Sequence, residues 1–229
     1  MPYRGERDDR EDLAPRGEGT VGRRHSVRTL TPADAPQIVA VLADAFARYP
    51  VIRFVLDPEQ RVDPRPLRRL LEFFVMARVH RGEALLGISD GSALVAVALA
   101  SKPDSGPSPP ELDGLRKEVW TELGPEARAR YEAFGAATGD FEMDVPHRHL
   151  NMVGVRRAFQ GIGLGRRLID AAQELSRADP HSEGLSLTTE DPRNVAYYEG
   201  LGFRNTGYAR VSPELETWGF FRGDTELEG

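Results

Sequence analysis

Cysteine is absent from all 229 residues, which removes a disulfide framework, thiolate metal ligation and covalent catalysis by a cysteine nucleophile. Lysine is almost absent too: Lys102 and Lys117 are the only two, and arginine carries nearly all of the positive charge. The formal net charge of −6 lacks the dominant basic face that phosphate neutralisation demands, so no nucleic-acid partner is expected. No apolar run approaches the ~20 residues that cross a bilayer, and no charged-then-apolar leader opens the chain. The expectation is a cytoplasmic protein with no membrane partner. The histidines, His25, His80, His147, His149 and His181, have no H-E-x-x-H or similar ligand spacing, so no metal is expected.

What is present is enough chain for one sizeable core. Residues 1–25 mix both charge signs with Gly and Pro and bury little, which predicts a disordered N-terminal tail before a single domain over residues 26–229. "SVRTL" reads as a strand. Thr31-Pro32 then supplies a cap and a first-turn proline for a helix through "ADAPQIVAVLADAFARYP". A Pro-rich loop follows, and Leu67, Leu70, Leu71, Phe74 and Val75 mark a second helix. Asp90-Gly91 predicts a two-residue hairpin turn, and Gly124-Pro125 divides two short helical patterns. "HRHLNMVGV" and "LSLTT" read as strands around a helix over about Gly161–Arg177. A short glycine-closed helix and two final strands complete a mixed α/β order with a partly antiparallel sheet.

The chemistry concentrates in "MVGVRRAFQGIGLGRRLI", Met152 to Ile169. A strand that enters a glycine loop and then a helix N-terminus is an anion cradle, because unpaired backbone N–H groups converge where the helix dipole favours negative charge. Glycine lets a pyrophosphate approach with no Cβ in the way. The spacing is neither G-x-x-x-x-G-K-[ST] nor G-x-G-x-x-G, so both standard nucleotide loops are excluded. Gln160-x-x-Gly163-x-Gly165 instead resembles the acetyl-CoA signature Q/R-x-x-G-x-G/A of the GNAT superfamily of N-acetyltransferases. "NVAYYEGLGF", Asn194 to Phe203, resembles that family's later motif. "ADAFARYPVIRFVLDPEQR", "MVGV" and "DPRNVAYYEGLGF" look most like the puromycin N-acetyltransferase branch, whereas residues 101–147 are only loosely similar.

The resemblance implies the GNAT acyl-CoA N-acyltransferase fold, a central, mostly antiparallel sheet with flanking helices, and acetyl-CoA as co-substrate. It implies a cofactor site built from Val153, Gly154, Val155, Gln160, Gly161, Ile162, Gly163, Leu164, Gly165, Arg166, Asn194 and Tyr198, with the pantetheine arm beside Val153 and Val155. Gly154, inside a strand, either admits that arm or packs under a helix. Arg156, Arg157, Arg166 and Arg167 are further candidates for phosphate. Asn194 is a helix cap, a cofactor contact or both.

Acetyl transfer to an amine needs a neutral nucleophile and a protonated leaving group, and without cysteine it proceeds by direct attack. Tyr198 matches the family tyrosine placed to protonate the leaving thiolate; its neighbour Tyr197 is expected in the core. His149 is the candidate general base, on one strand face with Asn151, Val153 and Val155, and Glu142, Asp144, His147 and Glu190 are rivals acting through water. The resemblance also implies that the first helix and "LLEFFVMARV" form one wall of the acceptor pocket, with Phe46, Tyr49, Phe73, Phe74 and Trp120 as candidate aromatics, although helical spacing favours the core for most of them. The expected acceptor is a primary amine of a small molecule, or a peptide or protein amine, in a monomer or homodimer. The alternative is a degenerate member of the fold that binds an acyl-CoA or a partner as a sensor, without turnover.

Overall fold

The capping residue and first-turn proline at Thr31-Pro32 start the first helix as expected. In the computed structural model, which describes residues 25–56, 64–104, 106–141 and 143–225, the Asp34 carboxylate accepts from the Thr31 N–H at 2.8 Å and from its hydroxyl at 3.0 Å. These bonds close one 3-10 turn, Pro32–Asp34, ahead of α1, Ala35–Phe46. The helix stops at Phe46, short of the expected run to Pro50, because Pro50 has no N–H to offer the Phe46 carbonyl. Pro50 instead opens a short helix, α2 (Pro50–Leu56), where a loop was expected. The expected disordered tail lies outside the described residues except for His25.

The sheet has seven strands in the order β1-β2-β3-β4-β5-β7-β6: β1 Val27–Thr29, β2 Ala84–Asp90, β3 Ala93–Ala100, β4 Arg148–Val155, β5 Gly184–Thr189, β6 Arg204–Ser212 and β7 Leu215–Gly223. Every pair is antiparallel except β4 with β5. The hairpin loop is Gly91-Ser92 rather than Asp90-Gly91, since Asp90 still pairs with Ala93 and Gly91 takes the positive φ of 61° that a primed turn requires.

Each face of the sheet is covered by helices. On one, Leu164, Leu168, Ile169 and Ala172 of α6 (Leu164–Arg177) pack with Leu150, Leu185 and Phe220. On the other, Ile38 and Leu42 of α1 pack with Leu71 and Val75 of α3 (Pro64–His80) and with Val97, Leu99 and Met152. The pair α4 (Pro110–Leu123) and α5 (Pro125–Thr138), separated at Gly124 with φ 89°, adds a further layer, with Trp120 in a cluster with Ile52 and Leu70. A short helix, α7 (Val195–Glu199), precedes the final two strands.

Two irregularities of β4 create the site. It pairs with β5 only at Arg148↔Leu185 and His149↔Ser186, so from Leu150 onward its edge leaves its parallel neighbour. A β-bulge also interrupts its pairing with β3: Leu99 pairs with Met152 and Ala100 with Leu150, leaving Asn151 as the extra residue. The bulge inverts the side-chain alternation. Leu150, Val153 and Val155 therefore pack on the α6 side and Met152 on the α1/α3 side. The expected single face shared by His149, Asn151, Val153 and Val155 is thus corrected: an uninterrupted period of two holds only in an uninterrupted strand.

Candidate active site

The glycine loop lies at the mouth of the gap between β4 and β5. Gly161 and Gly163 have φ values of 80° and 84°, a left-handed conformation that delays the helix to Leu164 rather than Gly161. The first main-chain bond of α6 runs from the Arg167 N–H to the Gly163 carbonyl, 3.2 Å. The amides of Leu164, Gly165 and Arg166 consequently have no acceptor within the helix. An ideal Cβ on Gly161 or Gly163 would meet nothing within 4 Å, and one on Gly165 only ordinary contacts with Tyr197 and Val155. The first two glycines are needed for backbone conformation and leave open space in front of the amides. Gln160 ties the loop to β4, its Nε2 donating to the Val155 carbonyl at 3.0 Å.

A groove of about 830 Å³ extends from this loop along the splayed edge of β4, lined by Val153, Val155, Gln160, Gly161, Gly163, Leu164, Gly165, Arg166, Asn194 and Tyr198. Ile162 projects to solvent, 60% exposed. Tyr197, expected in the core, is 43% exposed and lines the groove, because the core face of α7 is taken by Val195 and Tyr198. Gly154 has its own reason to be glycine, since a Cβ there would stand 2.9 Å from Leu42 Cδ2 of α1. Two of the arginines are engaged by the protein. Arg157 donates its amide to Asp44 at 2.7 Å and its Nε at 3.1 Å, which holds the Asp44 carboxyl below the usual range, while Arg156 Nε donates to the Leu94 carbonyl. Arg166, 3.8 Å from Asp170 and with a 60% exposed side chain, lines the groove, as does the Asp44-bound Arg157.

Across β4 lies a cavity of about 310 Å³ walled by α1, α2, α3, α5, α7, β3, β4 and β5. Phe46, Tyr49 and Phe74 line it as expected; Phe73 and Trp120 do not, and both are buried in the core. Tyr131 and Phe134 of α5 complete the aromatic wall. At its floor Glu190 is only 6% exposed. Burial pushes its carboxyl up to about 7, against hydrogen bonds from Thr217, Tyr49 and Thr188 that favour ionisation. Thr217 Oγ1 donates to Glu190 Oε1 at 2.9 Å. Tyr49 Oη accepts the Glu190 N–H at 3.1 Å and shares a hydrogen bond with Thr189 Oγ1, 2.9 Å. Thr189 Oγ1 also accepts from Asn194 Nδ2 at 3.1 Å. Asn194 stands at the N-cap position of α7 but its side chain makes no capping bond there; the side-chain cap is Asp191, which starts the preceding 3-10 turn, Pro192–Asn194, by accepting the Arg193 N–H at 3.0 Å.

His149 Nδ1 is 2.8 Å from Ser186 Oγ across the one paired stretch of β4 and β5. Burial first, then the nearby His147 and Arg78, depress it to about 4, so the ring is neutral at pH 7. His147 and Asp144 line a separate hollow behind His149 instead of the cavity, and Glu142 lies outside the described residues. His147 Nδ1 is tied to the Val145 carbonyl at 2.7 Å. Tyr198 is held protonated, chiefly by burial and then by Tyr197 and Glu190, and its hydroxyl has no hydrogen-bond partner among the described residues.

Cavity and groove meet. Phe46, Tyr49, Val153, Asn194 and Tyr198 line both. At that shared wall an unengaged phenol lies between an anion cradle on one side and, on the other, a carboxyl that titrates near neutrality. This arrangement can deprotonate one reactant and protonate another across a short polar passage in apolar surroundings.

The mixed seven-stranded sheet, its parallel pair splaying over a glycine loop at a helix N-terminus, is the fold of the GNAT acetyltransferases. Residues 126–216 match the family model described as an acetyltransferase (GNAT) domain. Among solved structures the chain is similar to a histone acetyltransferase HPA2-related acetyltransferase of Corynebacterium glutamicum, at 25% identity over 84% of this chain and 94% of that one, with a TM-score of 0.60. An agmatine N-acetyltransferase shares the fold at 17% identity, covering 86% of this chain and 98% of its own, with a TM-score of 0.63. A polyamine N-acetyltransferase of Drosophila melanogaster does so at 16% identity over 86% and 99%, with a TM-score of 0.61.

Proposed function

We propose that this protein is an N-acetyltransferase that moves an acetyl group from acetyl-CoA directly to a primary amine of a small molecule. The observation that carries the proposal is the shared wall, where Tyr198 faces the glycine-loop groove and the Glu190 cavity at once. The groove suits acetyl-CoA: the space before Gly161 and Gly163 is open, the amides of Leu164, Gly165 and Arg166 lack helical acceptors, and Arg166 adds a cation. Gln160 through Arg166, Ile162 by its backbone included, would hold the phosphates. The free edge of β4 at Val153 and Val155, with Gly154 between them, and Asn194 would hold the remainder.

When bound, acetyl-CoA supplies a thioester whose C–S bond breaks as the amine nitrogen forms the new C–N bond. Glu190, ionised at and above about pH 7, takes the proton of the incoming ammonium on its carboxylate. Tyr198 Oη holds a proton for the departing sulfur and regains one from the nitrogen, so each turnover releases one proton. Glu190 is preferred to His149 as the base because a carboxyl near 7 combines availability with basicity, whereas a ring near 4 is available but weakly basic. His149 then serves as a neutral polar wall braced by Ser186. The puromycin-branch resemblance spares residues 101–147, which include the cavity-lining α5, so no acceptor is taken from it.

The test is thiol release from acetyl-CoA over a panel of primary amines, run beside calorimetry of acetyl-CoA binding. Amine-dependent release with formation of the N-acetyl product is expected. Tight acetyl-CoA binding with no release for any amine would instead establish a sensor and overturn the proposal.

A further inference from the structure

Among the described residues that line the acceptor cavity, only Glu190 and Arg78 carry formal charge at neutral pH; the others are apolar, aromatic or neutral polar. Glu190 has a task in the reaction proposed above. Arg78, on α3, has none so far.

Its protein contacts all leave from one nitrogen. Nη1 donates to Asn151 Oδ1 at 3.0 Å and stands 2.8 Å from Glu83 Oε2, a contact too poorly aligned for a hydrogen bond. Nε and Nη2 have no acceptor among the described residues. Those two nitrogens form the edge of a guanidinium that grips a carboxylate bidentately. Glu83 is fully buried and does not line the cavity, so it steadies the guanidinium from behind without occupying that edge. Asn151 is the extra residue of the β4 bulge, a device that re-aims a side chain, and it too lines the cavity.

A partly desolvated cation in an apolar wall selects an anion and repels a second cation. A polyamine or a guanidino-amine would bring extra positive charge toward Arg78, into a cavity whose one carboxylate among the described residues must take up the proton of the reacting amine. Resting on the acetyltransferase reading, we propose that Arg78 recognises the acceptor and that this acceptor is an apolar amine bearing a carboxylate, the chemistry of an aromatic or large aliphatic amino acid. The carboxylate binds at Nε and Nη2 of Arg78, the hydrocarbon body fills the wall of Phe74, Tyr131 and Phe134, and the amine is left for Glu190 and Tyr198.

The full-length chain with acetyl-CoA is offered L-phenylalanine, L-phenylalaninamide, 2-phenylethylamine and agmatine. The expected kcat/KM falls in that order, with L-phenylalanine about ten- to a hundredfold above 2-phenylethylamine, mostly through KM. Because removing Arg78 alone would take the 2.8 Å ion-pair contact from the buried Glu83, the paired variant R78Q/E83Q is used. In it the ratio between L-phenylalanine and 2-phenylethylamine should collapse toward one, and Arg78→Lys, which keeps charge but loses the fork, should fall between. Calorimetry of wild-type protein with coenzyme A should show N-acetyl-L-phenylalanine binding more tightly than N-acetyl-2-phenylethylamine, a readout that needs no variant to fold. Equal use of agmatine and L-phenylalanine, equal affinity for the two products, or a ratio that survives in the paired variant would each overturn the assignment of Arg78 while leaving the acetyltransferase reading intact. Absence of thiol release with every amine would overturn both.

Discussion

The two hollows that meet at Tyr198 are built in opposite ways. The groove is made by backbone: two left-handed glycines, the first amides of α6 and a strand edge freed where β4 leaves β5. The Glu190 cavity is made by side chains that helices and strands distant in sequence bring together, and its chemistry depends on what each is buried among. A backbone site is insensitive to most neighbours and intolerant of a changed φ. A side-chain site can alter its specificity by single substitutions while its frame stays fixed.

The sharpest way to break that comparison is at Glu190. Glu190→Gln should lower kcat/KM by about 10²–10⁴-fold, the usual range for a lost general base, and should abolish the acidic limb near pH 7 that the wild-type rate profile is expected to show. Stability should respond with a definite sign. Because burial raises this carboxyl in the folded state, its stabilising contribution is complete below about 4.5 and is lost as pH rises through about 7. Denaturant titrations should therefore show wild-type stability falling between pH 5 and 8 more steeply than that of Glu190→Gln.

Next in size is Tyr198→Phe. Turnover should drop about 10²-fold, the low end for a general acid because water can supply part of the proton. Calorimetric affinity for acetyl-CoA should stay near wild type. A turnover equal to wild type would leave the groove supporting binding alone.

The groove yields to smaller changes in a different quantity. Gly163→Val forces a β-branched residue to a φ of 84°, at a cost of roughly 1–2 kcal/mol or more. It should weaken acetyl-CoA binding about tenfold or more in a protein whose circular dichroism is unchanged. Gly165→Ala, where a Cβ meets only ordinary contacts, should change that affinity less than about threefold. The contrast separates conformation from clearance as the reason for the glycines.

The same division explains what could be read from the chain. Gly161, Gly163, Gln160 and the helix that follows were legible because left-handed turns and helix starts are encoded by neighbouring residues. The succession of strands and helices along the chain followed from local patterning, the break at Gly124 from its Gly-Pro pair, and the role of α3 as a wall from the family resemblance. The cavity was hidden for reasons of distance. Pro50 ends one helix and starts another, so α2 resembled loop sequence. The bulge at Asn151 inverts the alternation that a period of two assumes. Arg78 sits among Arg68, Arg69 and Arg81 in sequence, and nothing local separates a cavity arginine from solvated ones. Glu190 was one rival among several because its elevated pKa comes from burial, which outweighs the opposing hydrogen bonds from Thr217, Tyr49 and Thr188, and that burial exists only in the fold.

The central claim is that transfer occurs at the wall shared by groove and cavity. A crystal structure of the protein with acetyl-CoA tests it most directly. The account predicts the phosphates on the Gly161–Arg166 backbone, the thioester sulfur within hydrogen-bond reach of Tyr198 Oη, and the acetyl carbon opening onto the Glu190 cavity. A thioester lying outside that wall, with Tyr198 turned away from the sulfur, would contradict it.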